Sequence, residues 1–550
     1  MTAKEKFLDW KSFVKDEELS AELDSISGDE KEIEKRFGDI LNFGTAGLRG
    51  KLGAGTARMN IFTVRQATQG LADYLKIKRK ISSVAIAYDT RRNSELFAKD
   101  AARVLAENGI KVWIYGAPAP TPMLSYAVRE RQCDAGIVIT ASHNPPEYNG
   151  YKVYGEDGCQ IPPEVAERIT GFIENVDVLR GAMLCSYEQA VTEKRIIVLP
   201  DSFWRRYYAR VIKEGVDREH HSENELKIVY TPLYGTGAVP VITTLSLAGF
   251  GNVFAVQEQM RADGRFPTCP KPNPELPEAL ELAKELAEKE DADLVFGTDP
   301  DCDRLGVMTK EKEGFRHFTG NEIGVLLLDF IIRARRENGT LPENPVAVKS
   351  IVSTKLADAV AMAGGVSMQS VFTGFRYIGG VIAKLEEAEE VERFIFGFEE
   401  SCGYLTGSYV RDKDGVDAAL LVCEAANYWK LRGKTLGEAL DGIRAEFGCY
   451  YDCQSNFATE DKEKIAAAVM TLRENTPEEI GGIAVIAKKD YLPETDMIAL
   501  ELSGGTGIIV RPSGTEPKLK AYYSVKAEDM TKAKALAESL EIAMTELLGF

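Results

Sequence analysis

Short apolar runs alternate with longer amphipathic stretches through the first four-fifths of the chain, and that alternation predicts strands separated by helices. The order occurs three times. The first passage opens on the strand VAIAY (Val84 to Tyr88), the polar loop DTRRNS and the helical FAKDAARVLAENG. It continues through the strand KVWIYG, Pro-rich APAPTP, helix-like MLSYAVRERQ and strand AGIVIT to the loop ASHNP. The second runs KIVYT, PLYGTG, VPVITTLSLAG, NVFAV, PKPNPELP, EALELAKELAEKE and DLVFG, and ends on the loop TDPDCDR. The third runs VAVKSIV, TKLADAVAMAGG, MQSV, the loop TGFRYIGG, a helix through AKLEEAEE and the strand RFIFG, and ends on FEESCGY. Gly109, Gly249 and Gly364 are placed as helix stops. The pattern implies parallel or mixed α/β layers. Ligands of such sheets sit beyond the carboxyl ends of strands, so three equivalent loops are expected to converge on one cleft.

After about residue 450 the pattern changes. GGIAVIAKK, DMIALELS, GTGIIVRPSG and KLKAYYSVKA read as strands joined by short turns, flanked by helices EDKEKIAAAVMTLREN and MTKAKALAESLEIAMTELLGF. This is the signature of a smaller α+β unit with an antiparallel sheet.

At 550 residues the chain has room for three to four domains. Its formal charge of −18 argues against a general binder of nucleic acid or anionic membrane, and no apolar run is long enough to span a bilayer. The charged N-terminal segment is unlike a signal peptide, and the nine scattered cysteines contain no CxxC pair, so a reducing cytoplasm is expected. Four dispersed histidines cannot build a histidine metal cage, which turns attention to carboxylates and phosphate chemistry.

Each loop has a chemical reading and a plainer one. Ser142, in TASHNP, lacks a GxSxG elbow; its hydroxyl is suited either to carrying a phosphoryl group or to capping a helix, with His143 open as a base. Asp299, Asp301 and Asp303 alternate, so an extended loop would turn three carboxylates towards one hard cation such as Mg²⁺; the alternative is a solvated acidic turn. Arg304 would either neutralise one of them or touch a transferring phosphate. Glu399 and Ser401, spaced i and i+2, suit sugar hydroxyls by parallel with the other two loops; taken alone they would read as a helix cap. Arg511, Ser513, Gly514 and Thr515 combine a planar cation, two hydroxyls and accessible backbone N–H groups, as a phosphate clamp requires; a basic turn is the alternative. Together these features suit phosphoryl transfer on a phosphosugar.

With TASHNP, DPDCDR, GFEES and RPSGTEPK in this order, and FGTAGLRG near the front, the sequence closely resembles the α-D-phosphohexomutase superfamily over about residues 40 to 550. The length and the segments TGFRYIG and RDKDG look more like its phosphoglucomutase branch than the shorter phosphoglucosamine mutases. The resemblance implies three related α/β domains with mixed sheets plus a C-terminal α+β domain around a central cleft, here expected at residues 1–195, 196–320, 321–448 and 449–550. It further implies Ser142 as phosphoserine and, with Asp299, Asp301 and Asp303, as Mg²⁺ ligand. Lys152 and His143 match positions linked to proton transfer, and Arg49 and Arg304 match active-site arginines. Glu399, Ser401, Arg376 and Lys413 would meet the sugar phosphate, while Arg511, Ser513, Gly514 and Thr515 hold its remote phosphate.

The implied reaction interconverts glucose 1-phosphate and glucose 6-phosphate through glucose 1,6-bisphosphate, in a cytoplasmic monomer or dimer. Arg376 stands where related phosphoglucomutases commonly have Lys, which bears on hexose selectivity. Mannose or pentose phosphates are alternative main substrates. A phosphatase or kinase is disfavoured because no GxxxxGK[ST] loop appears, and a silent sugar-phosphate-binding scaffold would have no need of Ser142, Lys152 and all three aspartates.

Overall fold

The computed structural model describes residues 1–44, 47–79, 82–459, 461–512 and 518–550, and element counts refer to these described residues. The first sheet contains β1 (Gly47–Lys51), β2 (Ser83–Tyr88), β3 (Lys111–Tyr115), β4 (Ala135–Ile139), β5 (Tyr148–Gly155) and β6 (Ile196–Leu199) in the order β1-β5-β4-β2-β3-β6. β7 (Ile228–Thr231), β8 (Val253–Ala255), β9 (Leu294–Thr298), β10 (Leu305–Glu311) and β11 (Gly314–Phe318) form the second, ordered β11-β10-β9-β7-β8. The third is β13-β12-β14-β15, from β12 (Val346–Ser350), β13 (Ser367–Val371), β14 (Phe394–Glu399) and β15 (Gly403–Leu405).

One four-strand unit recurs in all three sheets. A first strand (β2, β7, β12) pairs in parallel with the second and third of its set, and a fourth (β5, β10, β15) runs antiparallel along the third. The alternation read from the sequence is therefore a true structural repeat with mixed sheets. Each unit ends its third strand (β4, β9, β14) at one of the three chemically suggestive loops.

The fourth sheet joins β16 (Cys449–Ala458), β17 (Glu479–Ile480), β18 (Ile483–Asp490), β19 (Ile498–Leu502), β20 (Gly507–Pro512) and β21 (Lys518–Ala527) in the order β16-β21-β20-β19-β18-β17, with antiparallel pairing throughout. Helices Lys462–Glu474 and Met530–Leu548 are built into the same apolar core, through Val469, Leu472, Leu540 and Met544. The strand β16 carries Asp452, Gln454, Ser455 and Asn456, and this polarity hid it from the sequence reading. The first three units share a continuous apolar core containing Phe203, Tyr207, Phe296, Leu327, Phe396 and Val422, whereas the fourth keeps its own.

One local expectation changes. The segment TGFRYIGG is largely helical, because helix Phe375–Glu387 begins within it. Gly379 suits that helix for a packing reason: a Cβ there would lie 2.6 Å from the Arg411 carbonyl oxygen. The third helix stops at Gly364 as expected, which caps helix Leu356–Ala363, and the left-handed Gly365 (φ 67°) follows it.

The N-terminal residues form helices Ala3–Phe13, Glu17–Ser25 and Glu30–Phe37, whose Phe7, Trp10 and Phe37 pack with Phe62. Glu22 pins this layer to the chain that follows β1, accepting the Ala54 N–H at 2.7 Å and pairing with Arg36 at 2.5 Å. No helix among the described residues is long and apolar enough to cross a membrane.

Candidate active site

Ser142, three residues beyond β4, has a left-handed backbone (φ 52°), and its N–H donates to Thr140 Oγ1 at 2.8 Å. Its Oγ donates to Asp299 Oδ2 at 2.6 Å and lies 3.2 Å from His143 Nδ1. The serine loop of the first unit thus meets the aspartate loop of the second directly. Burial, with Arg304 and Arg49 nearby, holds His143 well below the ordinary imidazole range, so the ring is neutral.

The three aspartates converge, by a different route from the one their alternation suggested. The loop is a turn rather than an extended strand: the Cys302 N–H donates to the Asp299 carbonyl oxygen at 2.9 Å, with Cys302 at φ 53°. Asp299 Oδ1 then accepts the N–H groups of Asp303 and Arg304 at 3.1 and 3.0 Å. All three carboxylates are buried and offer oxygens within 4.8 Å of one another. Burial and the neighbouring carboxylates push Asp299 well above its usual range and raise Asp303. Against the burial that would raise it, Lys152 holds Asp301 below its own. Buried Oδ1 atoms of Asp301 and Asp303 have no hydrogen-bond partner among the described residues. Three converging carboxylates with unsatisfied oxygens are the donor set of a hard divalent cation such as Mg²⁺, so the residues fit the metal.

Lysines flank the triad. Lys152, on β5, sits 3.1 Å from Asp301 Oδ2; Lys413 sits 2.9 Å from Asp303 Oδ2 and 3.3 Å from Asp412 Oδ1. Although burial opposes it, Asp303 and Asp412 raise the Lys413 ammonium far above its ordinary value and keep it charged. Lys413 is fixed because the next residue, Asp414, caps helix Gly415–Lys430, accepting from Val416 and Asp417 N–H and from the Tyr207 and Tyr409 hydroxyls. Asp412 accepts the Tyr154 hydroxyl at 2.6 Å, tying the third unit to the first.

A cleft of about 720 Å³ joins these groups to the rest. His143, Arg304, Arg376, Glu399, Ser401, Lys413 and Arg511 all line it. Glu399 ends β14 and accepts the Gly374 N–H at 2.7 Å; burial and the adjacent Glu400 push its carboxyl up to about 7. Like the other two loops, this one turns through a left-handed non-glycine residue, Cys402 (φ 60°). Arg376, on the first turn of its helix, donates to the Ile161 carbonyl oxygen at 3.3 Å. Arg511 Nη2 lies 3.3 Å from the Tyr522 hydroxyl. Arg49, on the edge strand β1, reaches Asn144 Oδ1 at 3.2 Å. Arg304 pairs with Glu275, and its Nε is 4.0 Å from Asp303, so it shares the neutralisation of the triad with the two lysines. Ser513, Gly514 and Thr515 lie outside the described residues.

Three shaping residues escaped the sequence reading. Arg91 is buried behind the serine loop, donating to the carbonyl oxygens of Ser142 (2.5 Å), Asn144, Pro145 (2.9 Å) and Tyr148 (3.2 Å). Thr121 binds Asp301, and Glu275 binds Arg304. The available signal was position: DTRRNS follows the first strand of its unit, while APAPTP and PKPNPELP are the corresponding Pro-rich connections in the first two units.

The sequence matches the phosphoglucomutase/phosphomannomutase family models for alpha/beta/alpha domain I over residues 41–179, domain II over 206–314 and domain III over 319–447. It is 36% identical over 517 residues to a phosphoglucomutase of Staphylococcus haemolyticus strain JCSC1435, covering 90% of this chain and 92% of that one. A phosphoglucomutase of Staphylococcus epidermidis strain RP62A is 37% identical over 521 residues, covering 90% and 93%. Among solved structures, the open form of pp63/parafusin from Paramecium superposes with a TM-score of 0.71 at 18% identity, over 93% of this chain and 96% of that one. A phosphoglucomutase/phosphomannomutase family protein from Burkholderia thailandensis gives 0.70 at 19%, over 92% and 97%. These two likenesses show the fold. With three domain models in register and more than a third of residues identical along nine-tenths of its length, the chain belongs to the phosphoglucomutase/phosphomannomutase family of the α-D-phosphohexomutase superfamily.

Proposed function

We propose that this phosphohexomutase-type phosphotransferase is a phosphoglucomutase, interconverting glucose 1-phosphate and glucose 6-phosphate through phospho-Ser142 and glucose 1,6-bisphosphate. The observation that carries this reading is the 2.6 Å contact between Ser142 Oγ and Asp299 Oδ2, which puts a nucleophilic hydroxyl on the carboxylate triad. Bound by the triad and Ser142 Oγ, Mg²⁺ would supply charge neutralisation for the phosphoryl group.

The transfer breaks the bond between phosphorus and Ser142 Oγ and forms one between phosphorus and the sugar O6, while the O6 proton leaves to a base. His143, kept neutral, and Lys152 are the chain's candidates for that proton. After the bisphosphate reorients, the C1 phosphoryl passes back to Ser142 Oγ and a proton returns to the sugar O1. Glu399 and Ser401 are assigned to sugar hydroxyls, and Arg511 with the Ser513–Gly514–Thr515 loop to the remote phosphate. Arg376 and Lys413 complete the cleft wall, and Arg49 and Arg304 offer cations to the transferring phosphate. A fourth unit with its own core is suited to opening for reorientation and closing to exclude water.

Arg376, a planar fork where a compact lysine is common, favours a second reading with a mannose or pentose phosphate as main substrate. A coupled assay across glucose, mannose, glucosamine and ribose 1-phosphates, primed with bisphosphate, decides between them. The highest kcat/KM for glucose 1-phosphate is expected; a higher value for another sugar replaces the assignment, and no turnover of any sugar favours a silent scaffold.

A further inference from the structure

Residues 270–277 read Pro-Lys-Pro-Asn-Pro-Glu-Leu-Pro. Each proline fixes its own φ and biases the preceding residue towards extended backbone, so the segment loses little entropy on being held in one shape. Asn273 tightens it, with Oδ1 accepting the Glu275 N–H at 3.2 Å and its carbonyl oxygen accepting the Leu276 N–H at 3.0 Å. The segment lies against the start of β10, the strand that leaves the aspartate loop. A Cβ at Gly306 would sit 1.9 Å from the Pro274 carbonyl oxygen, so glycine alone permits that approach. His317 Nε2, on β11, lies 3.4 Å from the same oxygen.

This stiff, clamped segment lines the cleft with Asn273 and Glu275, and the Glu275 carboxylate pairs with Arg304 Nη1. The two side chains are 30% and 18% exposed, so the pair belongs to the cleft wall and is only partly screened by water. Asp303, covalently next to Arg304, is the more distant partner at 4.0 Å. Asp303 and Asp299 nevertheless attract the guanidinium, together with Glu275. Removing Glu275 would leave the triad as the strongest pull, and a long arginine side chain without its anchor would swing towards it. A half-buried ion pair of this kind adds little net stability, because desolvation offsets its attraction; its effect is on where the arginine stands.

We infer that Glu275 is a positioning residue for phosphoryl transfer: acting through Arg304, it holds the guanidinium in the cleft, facing the phosphoryl group and away from the carboxylate triad. The inference rests on the function proposed above. Glu275 makes and breaks no bond in this role, and no proton need leave it.

The test is a double-mutant cycle in kcat and KM for the hexose phosphate turned over best, with bisphosphate primer, using Glu275→Ala, Glu275→Gln, Arg304→Ala and the two doubles. Glu275→Ala is expected to lower kcat about 10- to 100-fold with a much smaller change in KM, the size of effect that misplacing a catalytic group produces. Glu275→Gln, which keeps an acceptor and loses the charge, should recover part of that loss. In the Arg304→Ala background either change should have no further effect. Losses that multiply in that background, or a wild-type kcat in Glu275→Ala, overturn the role. Should Glu275→Ala fail to fold, the near-isosteric Glu275→Gln completes the cycle on the same criterion. A wild-type enzyme without mutase turnover overturns the function and this role together, whereas an active wild type with an indifferent Glu275 overturns the role alone.

Discussion

Thr121 binds Asp301 twice: its N–H donates to the Asp301 carbonyl oxygen at 2.9 Å, and its hydroxyl donates to Oδ2 at 3.0 Å. Thr121 opens helix Thr121–Glu130 of the first unit, so the serine loop and the aspartate loop are registered against each other by a residue belonging to neither. Thr121→Val keeps the shape and the backbone bond but removes the hydroxyl. It should cost about 2 kcal/mol of stability, as expected for a buried hydrogen bond to a carboxylate, and lower kcat roughly tenfold. Thermal unfolding and steady-state rates check both numbers; an unchanged kcat would mean that the two loops hold their register without it.

Ser142→Ala is expected to abolish turnover while leaving the fold and sugar-phosphate binding in place. Circular dichroism, calorimetric binding of glucose 6-phosphate and intact-protein mass after incubation with the bisphosphate separate the two effects. Wild type should gain one phosphoryl mass and the variant none. A variant that still cycles at near-native rate would remove Ser142 from the chemistry.

Chelating divalent metal should stop the reaction, and added Mg²⁺ should restore it. A second readout is stability: an ion that binds only the folded protein raises its stability by about 2.7 kcal/mol when present at 100 times its Kd. The melting midpoint should therefore rise with Mg²⁺ in wild type and stay fixed in Asp301→Asn. Equal midpoints in wild type with and without metal would show that Lys152 and Lys413 alone satisfy the triad.

Glu399 gives a pH prediction with a definite sign. Its folded pKa, pushed up to about 7 by burial and Glu400, exceeds the ordinary 4.5 of a free glutamate. The stability it contributes is therefore fully present below about pH 4.5 and is lost as pH rises through about 7. Glu399→Gln, which still accepts from Gly374, should be more stable than wild type at pH 8, by on the order of a few kcal/mol, and equal to it near pH 4. Denaturant unfolding at the two pH values tests this; a difference independent of pH would locate the effect in packing rather than charge.

Arg376→Lys should shift the ranking of hexose 1-phosphates in kcat/KM by roughly tenfold without abolishing activity with any of them, because the charge is kept while the planar fork is lost. An unaltered ranking would place selectivity elsewhere in the cleft.

Much of this was legible in the sequence because chemistry concentrated unusual residues at recurring places. Three aspartates in five positions, a serine after a buried strand and an arginine among hydroxyls each stand out without a structure. What was not legible is what orders them. Arg91, Thr121 and Glu275 are ordinary residues in ordinary polar or Pro-rich connections, and their partners lie 51, 180 and 29 positions away. No local pattern encodes such pairings. The aspartate loop is a lesson of another kind: its convergence was expected from extended-chain alternation and arises from a turn, so the right grouping followed from the wrong geometry. In Phe375–Glu387 one glycine that read as loop, Gly379, serves instead to let the helix approach its neighbour.

Ser142, Cys302 and Cys402 share a backbone shape that L residues with a Cβ adopt at some cost, at φ 52°, 53° and 60°. Each sits a few residues past the third strand of its unit, where the chain turns back into the antiparallel fourth strand. The three units therefore share a common hook and differ in what hangs from it: one hook carries a hydroxyl, one a cluster of acids, one a glutamate lining the cleft. Seen this way, the cleft is a set of three interchangeable fittings on one repeated bracket, and a change of substrate or chemistry would need new side chains on the hooks with the brackets left untouched.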